Sequence, residues 1–440
     1  MFGKTLKPVS RLPLITIAAI GLLVITVSSN LHWGQDHWKN LIEADAKGYY
    51  AYLPATFIYH DLNFGFYDKI EKEKYFSSQL LYDYRSFANG QVINKYFCGT
   101  AVCQLPFFAI AHLLSTVTGY DTDGYSKIYL VMINVAAIFY LLSGLWFANK
   151  LLELYNIGPL IRAITLFSIT TGTNLFFYVI GECGMSHVYS FAMVSMFAYF
   201  SRKYFTEGNL FHFNLAAITL GLIVLIRPVN GIVLFSWPFL AGNPETLLTG
   251  IGNALKKPFR ILPGIALAIA IPAVQLLIYK LSTGSYFVYS YINEGFNFTT
   301  PHIIDFLISY KKGMFVYTPM LAVALAGSIV IFRKSSYEFY CFLFFVFFVI
   351  YILSSWWNWW YGGSFSSRVM IEFYPFFIIA MALLIQTTLN GIRRKLLITL
   401  IVLLVIVCQI QTYQYRYNHI HWENMNKEKY WEVFLRVDRF

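Results

Sequence analysis

The chain has 440 residues, 58% of them hydrophobic and 12% charged, with a formal net charge of +11. A mean hydropathy of +0.56 excludes an ordinary soluble domain and points to an integral membrane protein. Much of the positive excess sits in short loops (Arg202-Lys203, Lys256-Lys257 with Arg260, Arg333-Lys334, Arg393-Arg394-Lys395), as membrane orientation requires, and no basic soluble domain supports nucleic-acid binding.

The first apolar segment covers residues 12–27, preceded by Lys4, Lys7 and Arg11. It has no convincing small-residue cleavage site, so it reads as an anchor. Positive residues stay on the cytoplasmic side, which puts the following loop on the extracytoplasmic face. With about 20 apolar residues per crossing, about a dozen segments qualify, centred near residues 20, 110, 137, 171, 194, 219, 235, 270, 322, 346, 379 and 403. None alternates like a barrel strand, and a spanning segment must satisfy its own backbone. The expected class is therefore all-α, a polytopic membrane protein of about 11–13 transmembrane helices. Residues 1–413 form the polytopic domain, with a first extracytoplasmic loop at about 30–99, and residues 414–440 form a short amphipathic tail.

In that loop, Glu43-Ala-Asp45-Ala-Lys47-Gly-Tyr49-Tyr50 sets two carboxylates where the chain leaves the bilayer. A carboxylate there is a general base, a metal ligand or a solvated loop charge. The aromatic run 49–59 reads as an interfacial helix lying on the membrane, and the charged stretch 68–74 as solvated. The five cysteines are scattered without metal-ligand spacing and read as small hydrophobes.

Counting back from the basic clusters puts residues 181–186, 227–229, 281–312, 354–368 and the tail on the outer face. Counting forward puts the weakly basic stretch 150–162 outside, the wrong side for its charge. Either one segment within 98–146 is re-entrant, or the first loop hides a crossing.

The polar signatures gather in the outer stretches. Arg227, between two apolar segments, is costly unless it meets an anion, and a guanidinium fork matches phosphate oxygens. Arg368 follows a loop of tryptophans and paired glycines, and Lys312 stands beside Lys311. Snorkelling to the interface is the competing reading for each. His187 in Met-Ser-His, like Glu182, is either a sugar or phosphate contact or a structural group. Glu294, with Tyr291, lies in the long outer loop. Trp356, Trp357, Trp359 and Trp360 make a sugar-stacking wall or an interfacial aromatic belt.

The order of these motifs carries a resemblance. After the acidic loop come Lys95-Tyr-Phe-Cys-Gly-Thr, Asp123-Gly-Tyr-Ser126, Gly184-Met-Ser-His187, Ile226-Arg-Pro-Val-Asn230, Tyr289-Ser-Tyr-Ile-Asn-Glu-Gly-Phe296, Lys312-Gly-Met-Phe and Trp356-Trp-Asn-Trp-Trp-Tyr-Gly-Gly-Ser-Phe-Ser-Ser-Arg368. The chain resembles the GT-C superfamily of integral-membrane glycosyltransferases, in the branch of protein O-mannosyltransferases and lipid A aminoarabinose transferases. That resemblance implies a polyprenyl-phosphate sugar donor, a lipid, glycan or protein acceptor, and transfer with inversion on the extracytoplasmic face of a bacterial-type inner membrane. It implies Asp45 as the catalytic base with Glu43 assisting, although the family pair is often adjacent and here is Glu-x-Asp. Donor phosphate or sugar contacts are expected at Arg227, Arg368, His187, Lys312, Tyr50 and Glu294. No cofactor is expected; relatives with diphosphate donors use a divalent metal, which no ligand spacing here indicates. The competing classes are a lipid-linked glycan ligase or polymerase and a transporter or flippase. A transporter places its ionisable groups near the midplane, whereas these collect at one face.

Overall fold

The computed structural model describes residues 11–388 and 391–438; Lys4 and Lys7 lie outside them. Among the described residues the protein is helical except for one antiparallel hairpin, Arg85–Ala88 with Gln91–Asn94. Seven helices are long and apolar enough to cross a membrane: Leu12–His32, Gly99–Thr118, Lys127–Leu154, Pro258–Thr283, Ser336–Ser354, Arg368–Thr387 and Ile392–Arg416. The remaining apolar segments are also helical. They are shorter (Leu210–Ile226, Pro228–Ala241), interrupted (Pro159–Thr171 with Leu175–Ile180; Met314–Tyr317, Met320–Ala326 and Ser328–Lys334) or richer in polar residues (Ser186–Glu207). Helices of similar hydropathy differ in position. Arg368–Thr387 is almost wholly inside the bundle, while Pro258–Thr283 turns most of its surface outward, showing Leu262, Leu267, Ile269, Leu277 and Leu281 as a lipid-facing helix does.

The alternation problem resolves at Gly99–Thr118. Its N-terminus abuts the backbone of Leu225 and Ile226, where a Cβ on Gly99 would clash. Its C-terminus leads to Gly124, whose carbonyl accepts from the Tyr50 hydroxyl, and to Asp123, which pairs with Lys74 at 2.7 Å. The next helix starts at the same level as the end of the first span, since Trp33 Nε1 donates to Asn134 Oδ1 at 3.0 Å. Both ends of Gly99–Thr118 therefore lie beside first-loop residues, which favours the alternative in which one segment within 98–146 does not cross. Basic loops then meet at the opposite end, where Arg202 bonds the Leu240 carbonyl at 2.8 Å, Asn253 the Gly208 carbonyl at 2.9 Å and Gly158 N the Gln386 side chain at 2.8 Å.

One expectation for the first loop is corrected. The run 49–59 forms a helix, Asp45–Phe57, whose residues 46–55 are buried and which packs against Gly99–Thr118. Gly48 permits this, because a Cβ there would clash with the Tyr96 ring. The stretch 68–74 is not simply solvated. It coils into a π-helix, Asp68–Tyr75, that buries Glu71 completely. Glu71 Oε1 accepts from Tyr84 at 2.6 Å and Tyr125 at 2.7 Å, and Lys47 Nζ sits buried over the Phe76 ring. Burial pushes the Glu71 carboxyl up to about 7, against the pull of Tyr84 and Lys47, and the Lys47 ammonium down to about 7, against the pull of Glu71 and Glu43. Glu71→Ala leaves two buried phenols without an acceptor, an expected loss of about 1–3 kcal/mol per orphaned group. Thermal unfolding in lipid nanodiscs checks it: Glu71→Gln, which keeps an acceptor, should retain most of the wild-type stability, and Glu71→Ala should not.

Candidate functional site

A cavity of about 1010 Å³ opens at the end of the bundle away from the basic loops. Six of the eight residues singled out from sequence line it: Glu43, Asp45, His187, Arg227, Glu294 and Arg368.

Asp45 occupies the first turn of Asp45–Phe57, where the helix dipole favours negative charge. Ala44, just before it, holds φ 44° and ψ −125°, a conformation an L side chain adopts only under strain. That kink separates the two carboxylates. Asp45 Oδ2 receives Arg368 Nη2 at 2.6 Å, and Oδ1 receives the Tyr96 hydroxyl at 2.7 Å. Tyr96 in turn meets the Tyr82 hydroxyl at 2.7 Å. Burial pushes the Asp45 carboxyl up, but Arg368 and then Tyr96 outweigh it and hold it below the ordinary carboxylate value. Glu43 makes no such pairing, and burial pushes its carboxyl up. The two carboxyls are thus pushed in opposite directions, Asp45 down and Glu43 up.

Arg227 closes the Leu210–Ile226 helix in extended backbone, φ −151°, ahead of Pro228, which cannot continue the hydrogen-bond ladder. Its Nη1 donates to Glu372 Oε1 at 2.8 Å, and the same oxygen lies 2.9 Å from His187 Nδ1. Glu372 is fully buried, and its Oε2 has no hydrogen-bond partner in the structure. The arginine keeps 18% of its side chain exposed, at the cavity wall. Arg368 follows a loop held by Asn174 Nδ2 on the Phe365 carbonyl at 2.9 Å and Phe365 N on the Tyr178 hydroxyl at 3.0 Å. Glu294 is ion-paired with Lys95 at 2.5 Å, which ties the long outer loop to the first loop. Glu182 lines the cavity with Oε2 buried and unpartnered, and burial pushes its carboxyl up to about 8.

Two expected contacts do not reach the cavity. Tyr50 is fully buried on the far side of its helix, packed against Phe108 and Tyr125. Residues four apart share a helix face, so Tyr49, not Tyr50, faces the cavity with Asp45. Lys312 lies behind the wall, donating to the Ser364 carbonyl, and burial pushes its ammonium down to about 7. It positions the loop that carries Arg368 and is itself out of reach. Of the four tryptophans, Trp356 and Trp357 line the cavity and Trp359 and Trp360 do not.

Sequence reading missed Tyr49, Tyr96, Trp422 and above all Glu372. The last had a signal: an acid inside an apolar segment demands a partner, and Glu372 stands four residues after Arg368.

No protein-family model and no curated protein matches the sequence. Among solved structures, the oligosaccharyltransferase of Archaeoglobus fulgidus in its apo form matches at a TM-score of 0.52 and 12% identity, over 98% of this chain and 60% of that one. The archaeal oligosaccharyltransferase AglB from Archaeoglobus fulgidus, in complex with an inhibitory peptide and a dolichol-phosphate, matches at a TM-score of 0.49 and 12% identity, over 97% of this chain and 60% of that one. The chain thus spans less than two thirds of the structures it matches, and at this identity the likeness is one of fold.

Proposed function

We propose that this protein is a membrane glycosyltransferase that moves a sugar from a polyprenyl-phosphate donor to an acceptor hydroxyl, with inversion. The observation that carries the reading is the Asp45–Arg368 pair in a cavity that also receives Arg227; the fold shared with an oligosaccharyltransferase supports it. The acceptor oxygen attacks the anomeric carbon as the bond from that carbon to the phosphate oxygen breaks. The acceptor proton passes to the Asp45 carboxylate, and the polyprenyl phosphate leaves with the bonding pair. Arg227 and Arg368 keep guanidinium N–H groups for the departing phosphate. The scheme requires no divalent ion, because the two arginines supply the positive charge. In this reading the basic loops at the opposite end are cytoplasmic and the cavity is extracytoplasmic.

The test is sugar release from radiolabelled polyprenyl-phosphate sugars by the purified chain in lipid nanodiscs. Wild type should turn donor over. Arg227→Ala should raise the donor KM by about tenfold or more, the expected loss of one charge-assisted phosphate contact. Donor bound tightly but never consumed would favour the flippase reading; no binding of any such donor would overturn the proposed reaction and leave the ligase or transporter readings.

A further inference from the structure

The two walls of the cavity differ in chemistry. The wall around Arg227 is largely apolar and aromatic, with Val229, Val288, Tyr291, Phe296 and Trp356, and suits a lipid-linked phosphate. The opposite wall is built by the loop before Asp45, the Gly181–Glu182 turn and the start of the C-terminal tail. Beside Phe177 and Arg416 it presents Asn40, Glu43, Glu182, Tyr417, Asn418 and Trp422. Of these six, two are amides, two are carboxyls and two are aromatic rings.

Trp422 is the notable member. Half of its surface is exposed, although the ring is not loose. One side stacks on His421 at 5.6 Å between centroids, with 24° between the planes, and a Cβ built on Gly363 would touch the indole at 3.4 Å. The tail that carries it is anchored from below. Lys311 pairs with Glu423 at 2.9 Å, His421 Nδ1 accepts from the amides of Glu423 and Asn424 at 3.0 Å each, and Gln411 bonds Tyr430 at 3.0 Å. An indole left half open beside half-buried carboxyls and accessible amide groups is a stacking platform with hydrogen-bonding partners around it.

We infer that this tail-side wall is the acceptor subsite and that the acceptor is a saccharide, stacked on Trp422 with its hydroxyls bonded by Glu182, Glu43, Asn40 and Asn418. This deepens the glycosyltransferase reading and rests on it for the word acceptor, though not for the binding itself. Burial pushes the Glu43 and Glu182 carboxyls up and Arg416 lines the same side of the cavity, so the wall is not an electrostatic trap for a basic peptide. A neutral carboxyl both donates and accepts, as a sugar hydroxyl does. A lipid acceptor would find most of its apolar surface on the other wall. The volume, at the upper end of the about 300–1,000 Å³ usual for one small ligand, leaves space for a sugar beside the donor.

The test needs no donor. Binding of a panel of soluble manno-, gluco- and galacto-oligosaccharides to the full chain in nanodiscs is measured by calorimetry for wild type, Trp422→Ala and Trp422→Phe. Expected is saturable binding of at least one oligosaccharide, weakened about tenfold or more in Trp422→Ala and largely restored in Trp422→Phe, which keeps an aromatic face. Unchanged thermal unfolding of the alanine variant would separate lost stacking from lost folding. If no oligosaccharide binds wild type, or Trp422→Ala binds equally well, the inference is wrong. Saccharide binding in a protein that consumes no donor would uphold this subsite and overturn the proposed reaction instead.

Discussion

Asp45→Asn should abolish transfer while the protein still folds and inserts. Asparagine has the shape of aspartate: its one carbonyl oxygen can accept from Arg368 while its amide nitrogen donates to the Tyr96 hydroxyl, the two groups that hold the native carboxylate at 2.6 and 2.7 Å. What it cannot do is take a proton. Removal of a positioned base lowers rates by about 10²–10⁴-fold, and that is the expected fall in turnover, read beside Glu43→Gln, which should lose far less. The pH profile supplies an independent check. Because Arg368 holds the Asp45 carboxyl below its ordinary value, the base stays ionised on mild acidification. Its ion pair contributes stability above the unfolded-state value of about 3.9 and loses it only as pH falls through the lower folded-state value. Turnover should therefore persist to about pH 5. A loss centred near neutrality would instead assign the proton to a group that burial pushes up, and Glu43 and Glu182 would replace Asp45 as the candidates.

The second large effect concerns Glu372. Its carboxylate is fully buried and shared by Arg227 and His187 at 2.8 and 2.9 Å. Deleting it in Glu372→Ala strands a guanidinium inside the bundle. Breaking a buried ion pair from one side costs about 3–5 kcal/mol, and the 18% of the Arg227 side chain left open to the cavity puts the expected cost at the lower end. Thermal unfolding in nanodiscs should show a large destabilisation for the alanine variant and a smaller one for Glu372→Gln, which still offers an acceptor. Donor affinity should fall in both, since Arg227 loses the partner that aims it. An alanine variant as stable as wild type would mean that Arg227 finds another anion and that Glu372 does not organise the site.

Local quantities were readable from the amino-acid order. Apolar runs without charge mark helices wherever they occur, so the all-α membrane class follows from hydropathy alone. The acidic loop after the first span, the isolated Arg227 and the Arg368 that follows a glycine-rich loop are likewise visible, because each is costly or unusual in its own neighbourhood. The direction in which a side chain points is a different matter. Tyr49 and Tyr50 are adjacent and chemically identical, yet one lines the cavity and the other packs under Gly99–Thr118; only the packing of that helix selects the face. Pairings across the chain were equally invisible. Asp45 meets Arg368 over 323 residues and Arg227 meets Glu372 over 145, and no local pattern records such distances.

The same division governs the two helical surprises. Gly99–Thr118 has the length and hydropathy of a crossing, and Asp68–Tyr75 has the charge of a solvated loop. Length and hydropathy state what a segment tolerates, bilayer or interface, water or protein. The glycine contact with Leu225 and Ile226 and the phenols of Tyr84 and Tyr125 decide which of these it gets. Sequence by itself determined the class, the apolar segments and the residue types able to do chemistry at one face. Tertiary structure decided which of them meet, because the free energy of a buried charge depends on its partner, and the partner is chosen by the fold.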